Sequence, residues 1–196
     1  MTVHVVQGGD GLARRAFSVD DVRRMVESGI MDPKEPIELR EGELVAMPAE
    51  KFAHARATDF ILRKLFRDIP ENDWAVGSER TLQLGSDTLV QPDLLVFPRA
   101  LFQPSAEGFL AVPGPDLFLI EVADSSLLHD RTMKARLYAR HDVREYWIVD
   151  LNGRRIIVHR RPEQGLYQDI TPLEDDQPAV SAPPGPSFQL RITDLD

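Results

Sequence analysis

The sequence predicts an α/β fold with a mixed central sheet flanked by helices and with N-terminal and C-terminal β-hairpins. Residues 117–122 are apolar except for Glu121, which is typical of a central strand covered on both faces. On either side, segments with apolar residues at helical spacing are interspersed with short strand-like segments. Helices and strands in this order are expected to pack as layers around one core.

The length and composition bound the class of protein. The chain has 196 residues, which predicts one domain over 1–196, with an N-terminal extension at 1–16. The stretch 171–186 is rich in proline and acids and is predicted to be irregular. No apolar run approaches the roughly 20 residues that cross a bilayer, so no membrane association is expected. Zero cysteines exclude disulfides and thiolate sites and favour a cytoplasmic location.

The first elements have clear local signals. A helix is predicted after Ser18, the N-cap, with Asp21 completing an acidic variant of the capping box. Residues 37–40 and 43–47 alternate apolar and charged side chains around a Glu-Gly turn, which predicts the N-terminal hairpin.

A longer helix is predicted from about residue 50 to 66. Ala57, Ile61 and Leu65 fall at steps of four, and Phe60 widens this apolar stripe. Strands are then predicted at 74–76, at 81–84 and from Pro92-Asp93 onward, before a loop rich in Pro and Gly at 98–115.

The second half of the chain continues the pattern. A helix is predicted at 131–141 with Asp130 as its N-cap, followed by a strand at 145–150. An Asn-Gly turn leads into 154–160 and predicts the C-terminal hairpin, and 187–192 is predicted to be an edge strand.

Glu121 is the residue that most requires explanation. A carboxylate in a buried strand costs several kcal/mol unless it is compensated. An arginine could compensate it as a structural ion pair, and a divalent cation could do so more strongly. Both interpretations follow from the residue alone.

Asp93 and Lys134 are the predicted partners of Glu121. Asp93 opens a strand and could meet Glu121 at one end of the sheet, although an acid after proline is also a common turn residue. Lys134 lies four residues after Asp130, so its side chain would point toward the start of the helix. It could equally pair with Asp130 or be solvated. Two carboxylates and a lysine suit phosphodiester hydrolysis, in which the acids hold Mg²⁺ and the lysine assists the attacking water.

Several segments together resemble a known family. They are Glu38–Leu44, Pro92-Asp93, Glu121–Ser126, Asp130 with Lys134, Leu137–Arg140 and Glu145–Asp150. With these motifs the chain resembles the PD-(D/E)XK nuclease superfamily, and within it the bacterial restriction-endonuclease-like proteins of the Uma type. The resemblance implies a restriction-endonuclease-like core, Mg²⁺ or Mn²⁺ as cofactor, and DNA as substrate.

The resemblance also assigns roles to residues. It implies that Asp93 and Glu121 are metal ligands and that Lys134 is the catalytic lysine. The superfamily places its lysine two residues after the acid, where this chain has Ala123, so Lys134 would supply it from the adjacent helix. Such nucleases commonly act as homodimers, and the edges of the C-terminal hairpin could form the interface.

Other residues are weaker candidates. Glu38, His54 and Glu79 could complete the site, although His54 could be a surface or packing residue and Glu79 could pair with Arg80. Arg131, Arg136 and Arg140 could contact DNA phosphates, or could belong to a solvated face.

The sequence leaves two function classes open. The first is a metal-dependent endonuclease acting on DNA, alone or with a partner. The alternative is a catalytically silent nucleic-acid-binding or protein-interaction module that keeps the nuclease fold. The net charge of −9 argues against non-specific coating of nucleic acid and favours the second class somewhat, as does Ala123.

Overall fold

The computed structural model describes residues 5–7 and 12–196, so the predicted extension at 1–16 lies partly outside the described residues. In chain order, the strands and helices are β1 (Val5–Gln7), β2 (Ala13–Arg15), α1 (Val19–Glu27), β3 (Ile37–Arg40), β4 (Glu43–Ala46), α2 (Phe52–Asp68), β5 (Trp74–Ser78), β6 (Leu82–Gly85), β7 (Thr88–Val90), β8 (Leu94–Pro98), β9 (Leu110–Ala111), β10 (Phe118–Ala123), α3 (Leu127–His129), α4 (Ala135–Arg140), β11 (Glu145–Asp150), β12 (Arg155–Glu163), β13 (Leu166–Glu174), β14 (Ala179–Val180) and β15 (Gln189–Leu190). Short 3-10 turns lie at Arg99–Leu101, Gly114–Asp116 and Ile192–Leu195, and a π turn lies at Asp130–Lys134.

Contacts within the chain define two compact units. The first unit comprises Met1–Ala49, Thr81–Gln91 and Gln103–Ala111, and the second comprises Glu50–Arg80, Pro92–Phe102 and Val112–Asp196. Whether they fold as the single predicted domain stays a prediction.

The first unit contains the N-terminal helix and hairpin that the sequence predicts. The Ser18 hydroxyl oxygen accepts a hydrogen bond from the Asp21 backbone N–H, and the Asp21 carboxylate accepts one from the Ser18 backbone N–H, which is a complete capping box at the start of α1. Strands β3 and β4 pair across a two-residue turn at Glu41 and Gly42, both with positive φ. A five-stranded sheet with the order β4-β3-β7-β6-β9 completes this unit.

The second unit contains a six-stranded mixed sheet with the order β13-β12-β11-β10-β8-β5. Strands β10 and β11 are parallel, and the other neighbours are antiparallel. Every residue of β10 is buried, as the apolar run predicts for a central strand. The predicted fold class, a mixed sheet with helices, is thereby confirmed.

Helix α2 packs on one face of the sheet. Its residues Ile61 and Leu65 belong to the same core cluster as Phe118, Ile120 and Val122 of β10. Because successive side chains of a strand point to opposite faces, Glu121 lies on the other face, where Tyr138 of α4 contacts it. Phe60, predicted to widen the apolar stripe of α2, is instead 39% exposed.

The structure corrects the predicted helix after β10. Asp130 is not the N-cap of a helix at 131–141, because helical structure begins earlier, at Leu127. Asp130 opens the π turn, in which the Ala135 backbone N–H donates to the Asp130 carbonyl.

Two further segments are more regular than predicted. Residues 166–174 form strand β13, so the irregular segment predicted at 171–186 begins within a strand, and 179–180 form β14. Pro172 is tolerated because β13 is the edge strand of the sheet. The loop predicted at 98–115 includes β9. Among the described residues, no helix has both the length and the apolar character to span a membrane.

Candidate active site

The Glu121 carboxylate lies at the centre of a polar cluster in the second unit. The Lys134 Nζ atom is 2.8 Å from Glu121 Oε1, and the Tyr138 hydroxyl donates to the same oxygen at 2.7 Å. Glu121, Lys134 and Tyr138 are all buried, at 2%, 9% and 0% exposure. Lys134 is therefore not the solvated helix lysine that the sequence left open.

Asp93 lies immediately before β8 and next to Glu121 in the sheet. The last registered pair of the antiparallel strands β8 and β10 is Leu94 with Ile120. Asp93 and Glu121 are the next residues on each strand and therefore lie opposite each other. Asp93 Oδ2 accepts a hydrogen bond from the Val122 backbone N–H at 2.7 Å. The backbone of the central strand thus fixes Asp93 at the strand end, rather than leaving it as a free turn residue.

His54, near the start of α2, also contacts Asp93. Its Nε2 lies 2.9 Å from Asp93 Oδ2, and its Nδ1 lies 2.8 Å from Glu50 Oε1. The hydrogen bond with Asp93, assisted by the charges of both acids, raises the pKa of His54 to about 9 against the effect of burial. At neutral pH His54 is therefore a cation paired with Asp93.

The two carboxyl groups of the cluster have different protonation behaviour. Burial raises the pKa of Glu121, the charges of Asp93 and Asp130 act in the same direction, and Lys134 opposes them. Burial also tends to raise the pKa of Asp93, but the hydrogen bond with His54 and the charge of Lys134 outweigh it, so the pKa of Asp93 is lowered. Neighbouring carboxyl groups whose pKa values are driven apart are common in catalytic sites.

The segment from Ser126 to Tyr138 presents a polar residue at every fourth position. The Ser126 hydroxyl donates to Asp130 Oδ2 at 2.5 Å. Burial raises the pKa of Asp130, and the positive charge of Lys134 opposes this rise only in part. Lys134 and Tyr138 then contact Glu121. The Tyr146 hydroxyl donates to the Asp130 carbonyl at 3.3 Å and so supports the π turn from the sheet.

The remaining candidates are less closely connected to Glu121. Glu79 is exposed, and only its backbone N–H contacts the Asp93 segment, donating to the Pro92 and Asp93 carbonyls at 3.2 Å. Arg80 lies over the Phe102 ring. Glu38 belongs to the first unit, where it is fully buried, pairs with Arg40 and accepts from the Gln91 backbone N–H. Arg131, Arg136 and Arg140 are exposed on the helical segment that also contains Lys134.

Three carboxylates of the cluster influence one another electrostatically. Asp93, Glu121 and Asp130 repel one another, since the charges of the other two raise the pKa of Glu121. Carboxylate oxygens are the donors that Mg²⁺ and Mn²⁺ prefer. Across the described residues, no three or more His, Cys, Asp and Glu side chains are arranged to hold a metal. An ion bound by Asp93 and Glu121 alone would take most of its other ligands from water and phosphate, which is common for Mg²⁺.

Comparison with known families identifies the family of the chain. Residues 19–193 match the family model of Uma2, described as "Putative restriction endonuclease". The chain belongs to the Uma2 family. The predicted membership in a restriction-endonuclease-like family is confirmed.

A solved structure shares the fold of this Uma2 chain. It is the crystal structure of a "putative nuclease belonging to DUF820" from Anabaena variabilis ATCC 29413. The two chains are 18% identical and superpose with a TM-score of 0.67 over 91% of this chain and 97% of that one. No curated protein matches the sequence significantly.

Sequence reasoning did not include two residues of this cluster among the candidates. Tyr138 was part of a family motif without a role of its own, and Asp130 was predicted to cap a helix or to pair with Lys134. The signal that could have identified them is the spacing of four that Asp130, Lys134 and Tyr138 share, which places them on one side of a helical segment.

Proposed function

We propose that this protein is a metal-dependent endonuclease that hydrolyses phosphodiester bonds of DNA. The observation that supports it best is the buried contact between Lys134 and Glu121 beside Asp93. Two acids and a lysine at the end of a central sheet provide the groups that this reaction requires.

Asp93 and Glu121 would hold Mg²⁺ or Mn²⁺. When bound, such an ion neutralises charge on the phosphate and lowers the pKa of a water ligand. Asp93 is oriented for this role by the Val122 backbone N–H and by His54. These contacts keep Asp93 ionised, whereas Glu121, whose pKa burial raises, would lose its proton when the ion binds.

Lys134 would orient the attacking water and offset the negative charge that develops on the phosphate. Its ammonium group contacts Glu121. Its charge opposes the rise that burial causes in the pKa values of Glu121 and Asp130, and it helps to lower the pKa of Asp93. A cation fixed in a buried site acts more strongly on a developing charge than one in water. The helical segment thereby supplies the lysine that position 123 lacks.

The cleavage test uses supercoiled and single-stranded DNA with Mg²⁺ or Mn²⁺. Wild type is compared with Asp93→Asn, Glu121→Gln and Lys134→Met, and with Asp59→Asn, an exposed acid on α2, as the control. We expect the cleavage rates of the three site variants to fall at least about 100-fold, which is typical for removal of a group that stabilises the transition state. Site variants that cut as fast as Asp59→Asn would refute the assignment.

A catalytically silent module is the second candidate function. The observation that favours it is that Lys134 already compensates Glu121 without any metal. Calorimetric titration with Mn²⁺ separates the two: heat that disappears in Asp93→Asn supports the nuclease. Absence of heat in wild type supports the silent module.

DNA as partner and a homodimeric state complete the proposal. Two strands of a duplex require two active sites, which a two-fold symmetric dimer supplies. Strand β13 is the edge of the six-stranded sheet and has exposed Leu166 and Ile170, so it is the proposed interface. Light scattering at several concentrations tests this, and a monomer at all of them would refute it.

A further inference from the structure

Tyr138 is a fully buried phenol that contacts Glu121. Its hydroxyl donates to Glu121 Oε1 at 2.7 Å, and the tyrosine side chain has 0% exposure. A buried hydroxyl requires a partner, and a bond to an acid is stronger than one to a neutral group. Tyr138 is thus available to fix the orientation of the carboxylate.

Two contacts to the Glu121 carboxylate fall on the same oxygen. Lys134 Nζ lies 2.8 Å from Oε1, the atom that also accepts from Tyr138. An ionised carboxylate has lone pairs on both oxygens, so one can be held by the protein while the other binds an ion.

We propose that Tyr138 is a positioning residue that holds Oε1 of Glu121, together with Lys134, and leaves Oε2 to the divalent ion. This inference rests on the proposed metal-dependent function. Tyr138 would hold the Glu121 carboxylate independently of Lys134. When Lys134 turns to the attacking water, the phenol keeps the carboxylate in place.

The packing of the Tyr138 ring fixes the position of its hydroxyl. It packs edge-on against Tyr146, with ring centroids 4.9 Å apart and an interplanar angle of 71°. Tyr146 is itself fixed by its hydroxyl, which donates to the Asp130 carbonyl. The phenol is therefore oriented by the sheet and by the π turn, and not by Glu121 alone. Partners that orient a metal ligand typically change metal affinity 10- to 100-fold when they are removed.

The first test is calorimetric titration of the whole protein with Mn²⁺. We expect Tyr138→Phe to bind Mn²⁺ at least about 10-fold more weakly than wild type. The matched control is Tyr167→Phe, because Tyr167 is also buried but donates to the Val143 carbonyl at 2.9 Å. Both variants lose one buried hydroxyl, so a merely structural effect would lower the melting temperature of both and the Mn²⁺ affinity of neither.

The outcomes separate this inference from the proposed function. Wild-type binding that depends on Asp93 but is unchanged in Tyr138→Phe would overturn the inference and leave the metal site standing. Wild type that binds no Mn²⁺ would overturn the metal site and the inference together.

A second test does not require the variant to fold. In crystals of wild-type protein soaked in Mn²⁺, we expect the ion on Oε2 of Glu121, with Tyr138 still on Oε1. An ion on Oε1 that displaces the hydroxyl would overturn the inference.

Discussion

Lys134 and Glu121 form a buried pair, with the ammonium nitrogen 2.8 Å from Oε1 of the acid. The lysine comes from the end of the π turn and the acid from the central strand β10. Removal of one member of such a pair leaves the other buried and uncompensated, which is usually more harmful than removal of both. This relationship makes the site testable through stability as well as through activity.

We expect Lys134→Met to lower the free energy of unfolding by about 3 kcal/mol, because Glu121 loses its cation. The double variant with Glu121→Gln should recover part of this loss, since no unpaired charge remains. Urea unfolding of the single and double variants measures both effects. The control is Arg63→Met. Arg63 forms an exposed ion pair with Asp59, with 3.7 Å between the nitrogen and oxygen atoms, and this pair should contribute little to the free energy of unfolding. A Lys134→Met variant as stable as the control would show that the pair does not contribute.

The π turn is expected to set the position of Asp130 relative to Lys134. A π turn has one residue more than the corresponding α-helical segment, so deletion of the exposed Met133 would let the segment continue as an α-helix. The residues before the deletion would rotate by about 100° relative to α4. We expect cleavage to fall at least about 10-fold with circular dichroism unchanged. Met133→Ala shortens the same side chain without changing the register, and a deletion as active as this control would contradict the prediction.

The exposed arginines of the helical segment are expected to contact DNA phosphates. Arg131→Ala, Arg136→Ala and Arg140→Ala should each weaken DNA binding, and each should reduce the dependence of log affinity on log salt by about 1. Fluorescence anisotropy with labelled DNA at several salt concentrations, without divalent ions, measures this slope. Arg63→Ala on α2 is the exposed control. Slopes equal to that of the control would assign the three arginines to a solvated face.

His159 is expected to make the protein less stable in acid. It is 2% exposed and lies between the rings of Tyr146 and Tyr167, and burial lowers the pKa of His159 to about 4. As the pH falls below about 6.5, His159 is protonated in the unfolded chain, whereas in the folded protein it stays neutral until about pH 4. The free energy of unfolding therefore decreases across this window. The loss attributable to His159 should approach about 3 kcal/mol.

Urea unfolding between pH 4 and pH 7.5 tests this dependence in wild type and in His159→Phe. The phenylalanine keeps an aromatic ring in the cluster but cannot be protonated. We expect the stability of the variant to fall less with decreasing pH than that of wild type. Parallel curves for the two proteins would exclude His159 as the cause.

The sequence predicted the elements that local signals determine. The capping box at Ser18, the Glu-Gly turn and the apolar run around Glu121 each fix their element through neighbouring residues, and each prediction agrees with the structure. Strand β13 was not predicted, because its pairing with β12 outweighs an unfavourable composition that includes Pro172.

The sequence identified three residues of the candidate site but not the contacts among them. Asp93, Glu121 and Lys134 do lie together, as the resemblance implied. The hydrogen bond of Tyr138 to Glu121 depends on the π turn and on the packing of Tyr146, neither of which has a local sequence signal. The contact of His54 with Asp93 joins α2 to the start of β8 and likewise depends on tertiary packing.

The distribution of tryptophan provides an optical probe of how the two units unfold. The chain has two tryptophans, Trp74 and Trp147, and both lie in the second unit. Trp147 is fully buried, with its ring 4.8 Å from that of Phe118. Tryptophan emission therefore follows the second unit, whereas far-ultraviolet circular dichroism follows both. Coincident denaturation curves would establish one cooperative domain, and an earlier or later dichroism transition would establish that the first unit unfolds separately.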